Sequence, residues 1–432
     1  MKSAVFLLLP VVAWCQETAP RLSLDDALAL AREGNTSILR ARSQSAQAQA
    51  DVSAATGPLW PSLWALSDLG RLGPNVPGDA RYNPSSAFRG AANDQWSTAL
   101  SARWTLFDGL STISNRQSRS GLATAAQARE SGQDLSVPAQ VAVAYHEVSR
   151  QQVLVEAASQ ELSVSEERLS IARSRLEVGT VSVLDEQQAQ LDDNSDSSAL
   201  LRQKLTLSQS RRQLNWLLGR DPEIPFQVDD SIALSALPGR EDLLREAKER
   251  SPILAEAKAK EPAAAADERG SRAAFLPTLS LYTNYAILDQ FRDDHPPANS
   301  SWQSWQYGVQ LSVPVFDGGS SLARKRSLHE AFRQAQINVR ETELALERDL
   351  SQAYAAAEQA LVNEGLESRN AELADNTLKL ALLQFQLGAL SGIDLRRVQE
   401  TNLLARSRAI SARTDASASQ IQLFLLAGRP LR

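Results

Sequence analysis

Arg175-Leu-Glu-Val-Gly-Thr-Val-Ser-Val-Leu-Asp-Glu-Gln-Gln-Ala-Gln190 is matched without a gap by Gln384-Phe-Gln-Leu-Gly-Ala-Leu-Ser-Gly-Ile-Asp-Leu-Arg-Arg-Val-Gln399. Gly179 and Gly388 are 388 − 179 = 209 residues apart, and Asp185 and Asp394 keep that offset. So do Phe107-Asp-Gly109 with Phe316-Asp-Gly318, Leu217-Leu-Gly-Arg220 with Leu426-Ala-Gly-Arg429, and Tyr145 with Tyr354. Landmarks that share one spacing mean an internal duplication, and a repeat decides the architecture before any local reading does. In each copy a glycine, able to take positive φ, interrupts a long run of helix formers and so marks a tight turn between two helices. The chain therefore reads as two helical hairpins in tandem, with these turns as their tips.

The 432 residues carry a formal charge of −6 and are 43% hydrophobic, which gives no concentrated basic face for nucleic acid. Lys2 followed by an uncharged run from Ser3 to Trp14 reads as a secretory signal, residues 1–15, too short to span a bilayer as a helix. Cleavage after Cys15 or after Ala19 suits its small residues. Cys15 as a lipidated N-terminus is the alternative, and the bulky Trp14 before it argues against that. With one cysteine there is no disulfide, so an exported chain is held by packing alone.

Within residues 20–218, the first repeat, Leu22 to Ala31 opens a helix capped by Ser23 or Asp25, and Gly34-Asn35 ends it. A second helix runs from about Thr36 to Ala55, where Gly57-Pro58 and Trp60-Pro61 stop it. Residues 241–432 repeat this order at Leu243 to Arg250 and Ile253 to Ala274, with an indel because 277 − 61 = 216. Residues 219–240 are the linker between repeats.

Trp96 to Leu106 alternates strictly, with Trp96, Leu100, Trp104 and Leu106 on one face and Ser97, Ser101 and Arg103 on the other. Trp305 to Val315 does the same, placing Trp305, Tyr307, Val309, Leu311, Val313 and Val315 together. Pro277 to Ala286 and Pro61 to Gly70 supply two more strands, with loops at about 71–94 and 289–301. Period-two alternation of this kind suits a strand between lipid and a watery lumen, and equally a half-buried soluble sheet. Six of the eight tryptophans, Trp60, Trp64, Trp96, Trp104, Trp302 and Trp305, fall in or beside these segments, and with Tyr307 they favour an interfacial aromatic girdle. Four strands cannot close a barrel alone, and an open edge in lipid leaves backbone groups unsatisfied at about several kcal/mol each. Two chains would give eight strands and three would give twelve.

Leu110 to about Glu177 and Ser320 to about Leu387 are long helical patterns, each roughly 100 Å at about 1.5 Å per residue. Returns run from Val183 to Leu218 and from Ile393 to Ala427. Leu162, Leu169 and Leu176, and Leu373, Leu380 and Leu387, step by seven as coiled-coil seams do, and Pro138 predicts a local kink.

This order of helices, strand pair ending in Phe-Asp-Gly, long helix, tip, and return helix ending in Leu-Leu-Gly-Arg, all twice, resembles the TolC-type outer membrane factors over residues 20 to 432. The resemblance implies a homotrimer in which a twelve-stranded outer-membrane barrel continues into a helical tunnel in the periplasm. It implies tips that dock a periplasmic adaptor serving an inner-membrane pump: Val178, Gly179 and Thr180 match directly, while Leu387, Gly388 and Ala389 match in the glycine and an apolar neighbour. It also implies a mixed layer around the tunnel at about Gly219 to Arg240 and after Ala427. Asp394 falls where the family places a pore-facing carboxylate, which in a threefold becomes a ring favouring cations, and Asp185 is its first-repeat equivalent. The second pore carboxylate is replaced by Arg397, and the basic partner near Leu390 is absent, leaving Arg396 or Arg397 as substitutes.

His146, His295 and His329 are scattered, with no second ligand at helical spacing, and neither a phosphate loop nor a nucleophile elbow is present. Enzymatic chemistry, cofactors and metals are thus not expected. The reading is a passive export channel of the outer membrane; the alternative is a periplasmic coiled-coil scaffold or adaptor whose strands form a small soluble sheet.

Overall fold

The computed structural model describes residues 20–72, 93–229, 232–292, 298–387 and 389–430. The expected leader with Cys15, most of the first strand-connecting loop, His295 and Gly388 lie outside them. The chain divides into two compact units, one of Met1–Arg42, Glu130–Pro252 and Glu343–Arg432, the other of Ser43–Arg129 and Ile253–Thr342. Each unit draws on both repeats, so this division cuts across the duplication.

The duplication governs the helices to the residue. Helix α3 (Ser111–Glu177) and helix α7 (Ser320–Gln386) each have 67 residues, and 320 − 111 = 386 − 177 = 209. Helix α4 (Val183–Leu217) and helix α8 (Gly392–Leu426) each have 35. Pro138 lies inside α3, whose helix continues on both sides of it.

In the first unit, Ser23 caps helix α1 (Leu24–Gly34) by accepting from the Asp26 N–H, and helix α2 (Thr36–Ala54) follows at once. Strand β1 (Arg21–Leu22) pairs in parallel with strand β4 (Gln227–Val228), which lies in the expected linker. No sequence signal announced this two-residue ladder; side chains extend it. The Gln152 amide bonds both the N–H and the C=O of Val228 at 3.0 Å. The Tyr145 hydroxyl donates to the Leu22 carbonyl at 2.9 Å and accepts from the Asp229 N–H at 3.0 Å. Around it Leu28, Ile38, Val141, Leu214 and Phe226 form the core. The Leu217-Leu-Gly-Arg motif ends α4 with Gly219 at φ +72° and 6→1 and 5→2 hydrogen bonds. Gly219 also lies against the backbone of α1's end, where a Cβ would sit 2.1 Å from the Gly34 carbonyl oxygen.

Helix α5 (Arg240–Arg250) belongs to the first unit, and helix α6 (Pro252–Gly270) falls almost wholly in the second. There strands β2 (Ser62–Leu72), β3 (Asn93–Phe107), β5 (Thr278–Arg292) and β6 (Ala298–Ser312) make one antiparallel sheet in the order β2-β3-β5-β6. The strands run farther into the expected loops than Gly and Asn content suggested, because each hairpin extends its ladder to Leu72↔Asn93 and Arg292↔Ala298. Strand β6 ends at Ser312, so Val313 and Val315 fall outside the sheet; Pro314, which has no N–H to give, explains the stop.

The heptad stripes of the two hairpins differ from the coiled-coil seams expected of both. Leu169 is buried, but Leu373 and Leu380 are 65% and 64% exposed, so in the second hairpin that stripe faces away from its own chain.

Candidate functional site

The hairpin tips belong to the first unit. At the first, α3 ends with Gly179 at φ +71°, the Gly179 N–H reaching the Leu176 carbonyl and the Thr180 N–H the Arg175 carbonyl, both at 2.9 Å. A Cβ added at Gly179 meets nothing within 4 Å, and Val178 is 74% exposed, so the turn presents an open apolar knob. At the second tip the Ala389 N–H reaches the Gln384 carbonyl at 2.9 Å, and Leu387 is likewise exposed. The Arg175 guanidinium stands 5.7 Å from the Phe385 ring centroid, joining the two long helices just short of their tips.

Asp185 and Asp394 have a local task that the sequence reading did not assign. Ser182 and Asp185 form a capping box: the Asp185 N–H donates to Ser182 Oγ, and the Asp185 carboxylate accepts from the Ser182 N–H at 3.0 Å and its hydroxyl at 2.8 Å. The backbone N–H of Ser182, and then its hydroxyl, hold the Asp185 carboxyl below its usual range. Ser391 caps α8 by accepting from the Asp394 N–H at 3.1 Å and donates to the Asp394 carboxylate at 2.6 Å. The Ser-x-x-Asp spacing in both copies was the available signal.

Arg396 joins neither aspartate. It grips Asp196 of α4 through both carboxylate oxygens, at 2.7 and 2.8 Å, and reaches Glu161 of α3 at 3.2 Å and Glu400 at 3.1 Å. Ser165 also donates to Asp196. The hydrogen bond it donates to Asp196 holds the Arg396 guanidinium more firmly protonated than usual, while burial pushes the Glu161 carboxyl up. Three helices thus meet at one partly buried cation. The duplication hides this cluster, because Glu161 and Asp196 correspond to Asn370 and Ala405 in the second repeat. Arg397 is exposed and has no ion pair among the described residues.

In the second unit, opposed residues across the ladders share a face. Trp104, Leu281 and Val309 form one row, Ala102, Thr283 and Tyr307 the next, and Leu100, Tyr285 and Trp305 a third, all on an apolar face. The other face carries Ser101, Asn284 and Gln306. Trp64 and Trp302 lie in register with that second face, apart from Trp96, Trp104, Trp305 and Tyr307. Trp60 precedes β2 and is 72% exposed. Trp305 and Tyr307 stand mid-strand with rings 5.2 Å apart, so among the tryptophans of the apolar face Trp104 lies toward one end and Trp96 toward the other. The indole N–H groups are satisfied within the chain: Trp96 donates to Ser67, Trp104 to the Leu59 carbonyl and Trp305 to Thr283, at 2.9 to 3.0 Å. That lets the rings enter an apolar medium without an orphaned donor.

His146 is buried, its Nδ1 2.8 Å from Ser417 Oγ, and burial lowers its pKa. Among the described residues no cluster of His, Cys, Asp or Glu is arranged to hold a metal, and no helix is long and apolar enough to cross a membrane.

A sequence profile of the family described as outer membrane efflux protein matches residues 27–220 and 243–429. The probable efflux pump outer membrane protein TtgC of Pseudomonas putida is 27% identical over 314 residues, 70% of this chain and 62% of TtgC, so the match spans less than two thirds of that relative. The cation efflux system protein CusC of Escherichia coli is 22% identical over 372 residues, 84% of this chain and 80% of CusC. Among solved structures, the Campylobacter jejuni CmeC outer membrane channel superposes with a TM-score of 0.76 at 16% identity, covering 94% of this chain and 85% of that one.

Proposed function

The chain belongs to the outer membrane efflux protein family, and from that premise we propose that it is the outer-membrane channel of a tripartite efflux or type I secretion system. The observation that carries the reading is the sheet: one face is apolar, and among the described residues β2 and β6 each have a single neighbour. In lipid those edges need partners, and the strand order makes β6 antiparallel to the β2 of a following copy. Three copies give twelve strands and a lumen wide enough to remain open. Passage is passive; the energy comes from an inner-membrane pump reached through a periplasmic adaptor.

The helices support the same assembly. Within one copy, Val153 and Ala157 of α3 line a shared groove with Ile410 of α8, and Arg150 lies 3.3 Å from Ser411. Adding 209 to the α3 residues and subtracting 209 from those of α8 carries these pairs onto α7 and α4: Val362 and Leu366 with Leu201, Gln359 with Arg202, and Asn370 with Gln187 in place of Glu161 with Arg396. Each transformed pair is apolar with apolar or polar with polar. Val362, Leu366 and Leu201 are 63%, 53% and 66% exposed in the single chain, as two halves of an interface between copies would be. Such a contact is heterologous and closes into a ring.

The tips, Val178, Gly179 and Thr180 with Leu387, Gly388 and Ala389, are the surface we assign to the adaptor, because the exposed apolar side chains of Val178 and Leu387 are left uncovered by the described residues. Asp394 and Asp185 stay as candidates for carboxylates facing the pore, each with oxygen lone pairs beyond those used in capping. The direct test of the channel reading is fractionation: outer-membrane recovery as a detergent-extracted, heat-sensitive oligomer supports it, and a freely soluble monomer overturns it.

A further inference from the structure

The second unit changes chemical character where the sheet gives way to helices. Over 108–119 and 317–326 there are five cations, Arg116, Arg119, Arg324, Lys325 and Arg326, against the two carboxylates Asp108 and Asp317. Both carboxylates are already engaged, Asp108 by the Thr112 N–H at 2.8 Å and Asp317 by the Ser321 N–H at 2.7 Å. Arg116, Arg324, Lys325 and Arg326 lie in the second turns of α3 and α7 and Arg119 in the third, near the amino-terminal ends, where the helix dipole gives a cation no stabilisation, so helix stability does not explain them. Neither does ion pairing: Arg119 and Arg324 have no hydrogen-bonding or charged partner among the described residues.

These two arginines line one cavity of about 900 Å³, together with Thr112, Asn115, Ser321 and two carboxylates, the engaged Asp108 and the exposed Asp267. Immediately beside it the apolar surface resumes, with Leu110, Ile113, Leu322 and Phe316 all exposed. The Thr112 and Ser321 hydroxyls are turned to Asp108 and Asp317, but two guanidinium forks with the Asn115 amide suit a phosphate, and the adjoining apolar surface suits what a phosphate carries when it is the head of a lipid. An acidic protein face would match the charge but leave the apolar rim in water.

We propose that this collar binds the headgroup phosphate of an anionic phospholipid, in the leaflet on the helix-bearing side of the sheet, with its acyl chains lying along the apolar strands. The inference rests on the membrane-channel reading and adds a lipid preference to it. It locates the junction at headgroup depth, where arginine side chains reach out of the apolar layer.

The experiment is native mass spectrometry of the purified, delipidated full-length protein, offered phosphatidylglycerol, phosphatidylcholine or inorganic phosphate. Phosphatidylglycerol should bind at least about tenfold more tightly than phosphatidylcholine. The double variant Arg119→Gln/Arg324→Gln should lose that preference with an unchanged circular dichroism spectrum, while Arg40→Gln, an exposed cation of α2, should keep it. Equal binding of both lipids, or equal loss in the Arg40→Gln control, would overturn the proposal. Displacement of the lipid by inorganic phosphate would also overturn it, by making the cavity a free-anion site. A protein that inserts into vesicles without headgroup preference removes only the collar, whereas one that does not insert removes the channel reading itself.

Discussion

Arg396 and Asp196 form a bidentate pair with hydrogen bonds of 2.7 and 2.8 Å, and their side chains are only 18% and 9% exposed. Asp196 lies on the return helix of the first hairpin and Arg396 on that of the second, so the pair ties the hairpins together inside one chain. Arg396→Gln would leave Asp196 and Glu161 facing each other with only Arg168 still acting on Glu161, at a cost of up to about 3 kcal/mol. The expected result is a clearly lowered thermal midpoint, restored in large part by Arg396→Met combined with Asp196→Leu. An unaltered midpoint in Arg396→Gln would show that the three-helix cluster carries no stability.

Gly219 makes a second, sharper test. Its φ of +72° disfavours a side chain, and a Cβ would be driven to 2.1 Å from the Gly34 carbonyl oxygen. Gly219→Ala should therefore cost about 3 kcal/mol or more and lower the yield of folded protein. Leu110 is the opposite case: it holds φ +69° as a leucine where the second repeat has Gly319 at +85°. Leu110→Gly should be neutral or raise the thermal midpoint, by about 1 kcal/mol at most.

Stability should fall on acidification in a way that depends on His146. Burial holds its folded pKa below the unfolded value of about 6.5, so the native state favours the neutral ring. Its contribution is complete above about pH 6.5, where unfolded histidine is also neutral, and is lost as pH drops through the lower folded pKa. Denaturation midpoints between pH 7.5 and about 5 should decline in the native sequence and decline less in His146→Gln. Parallel profiles would mean that His146 titrates alike in both states.

Asp394 can be separated into its two roles by substitution. Ser391→Ala removes the side-chain oxygen that accepts the Asp394 N–H and should fray the start of α8 at a cost of about 1 kcal/mol, without altering ion selectivity. Asp394→Asn should reduce cation selectivity in planar bilayers if a ring of carboxylates faces the pore. Selectivity unchanged in Asp394→Asn would leave Asp394 with its capping role alone.

The helical frame was legible because duplication left its mark at a fixed offset: both tips, both return helices and the strand pairs follow from residues such as Gly179, Asp185 and Phe107. What escaped notice lacks that periodicity. Asp196 and Glu161 have no acidic counterparts 209 residues on, and the β1–β4 ladder is two residues long, held by Gln152 and Tyr145 from distant positions. Trp64 and Trp302 were grouped with the other tryptophans by proximity in sequence, and only the register separates the faces. The heptad leucines of α7 looked like a seam within a hairpin because spacing alone does not say which chain supplies the other half.

The most direct measurement is cysteine cross-linking between Leu201 of α4 and Val362 of α7. Leu201→Cys and Val362→Cys, combined in one chain in which Cys15 is removed or replaced, should give on oxidation in isolated outer membranes a ladder that ends at three covalently joined copies. Oxidised protein that stays monomeric, while it is folded and membrane-bound, would contradict a shared wall built by heterologous contact between copies.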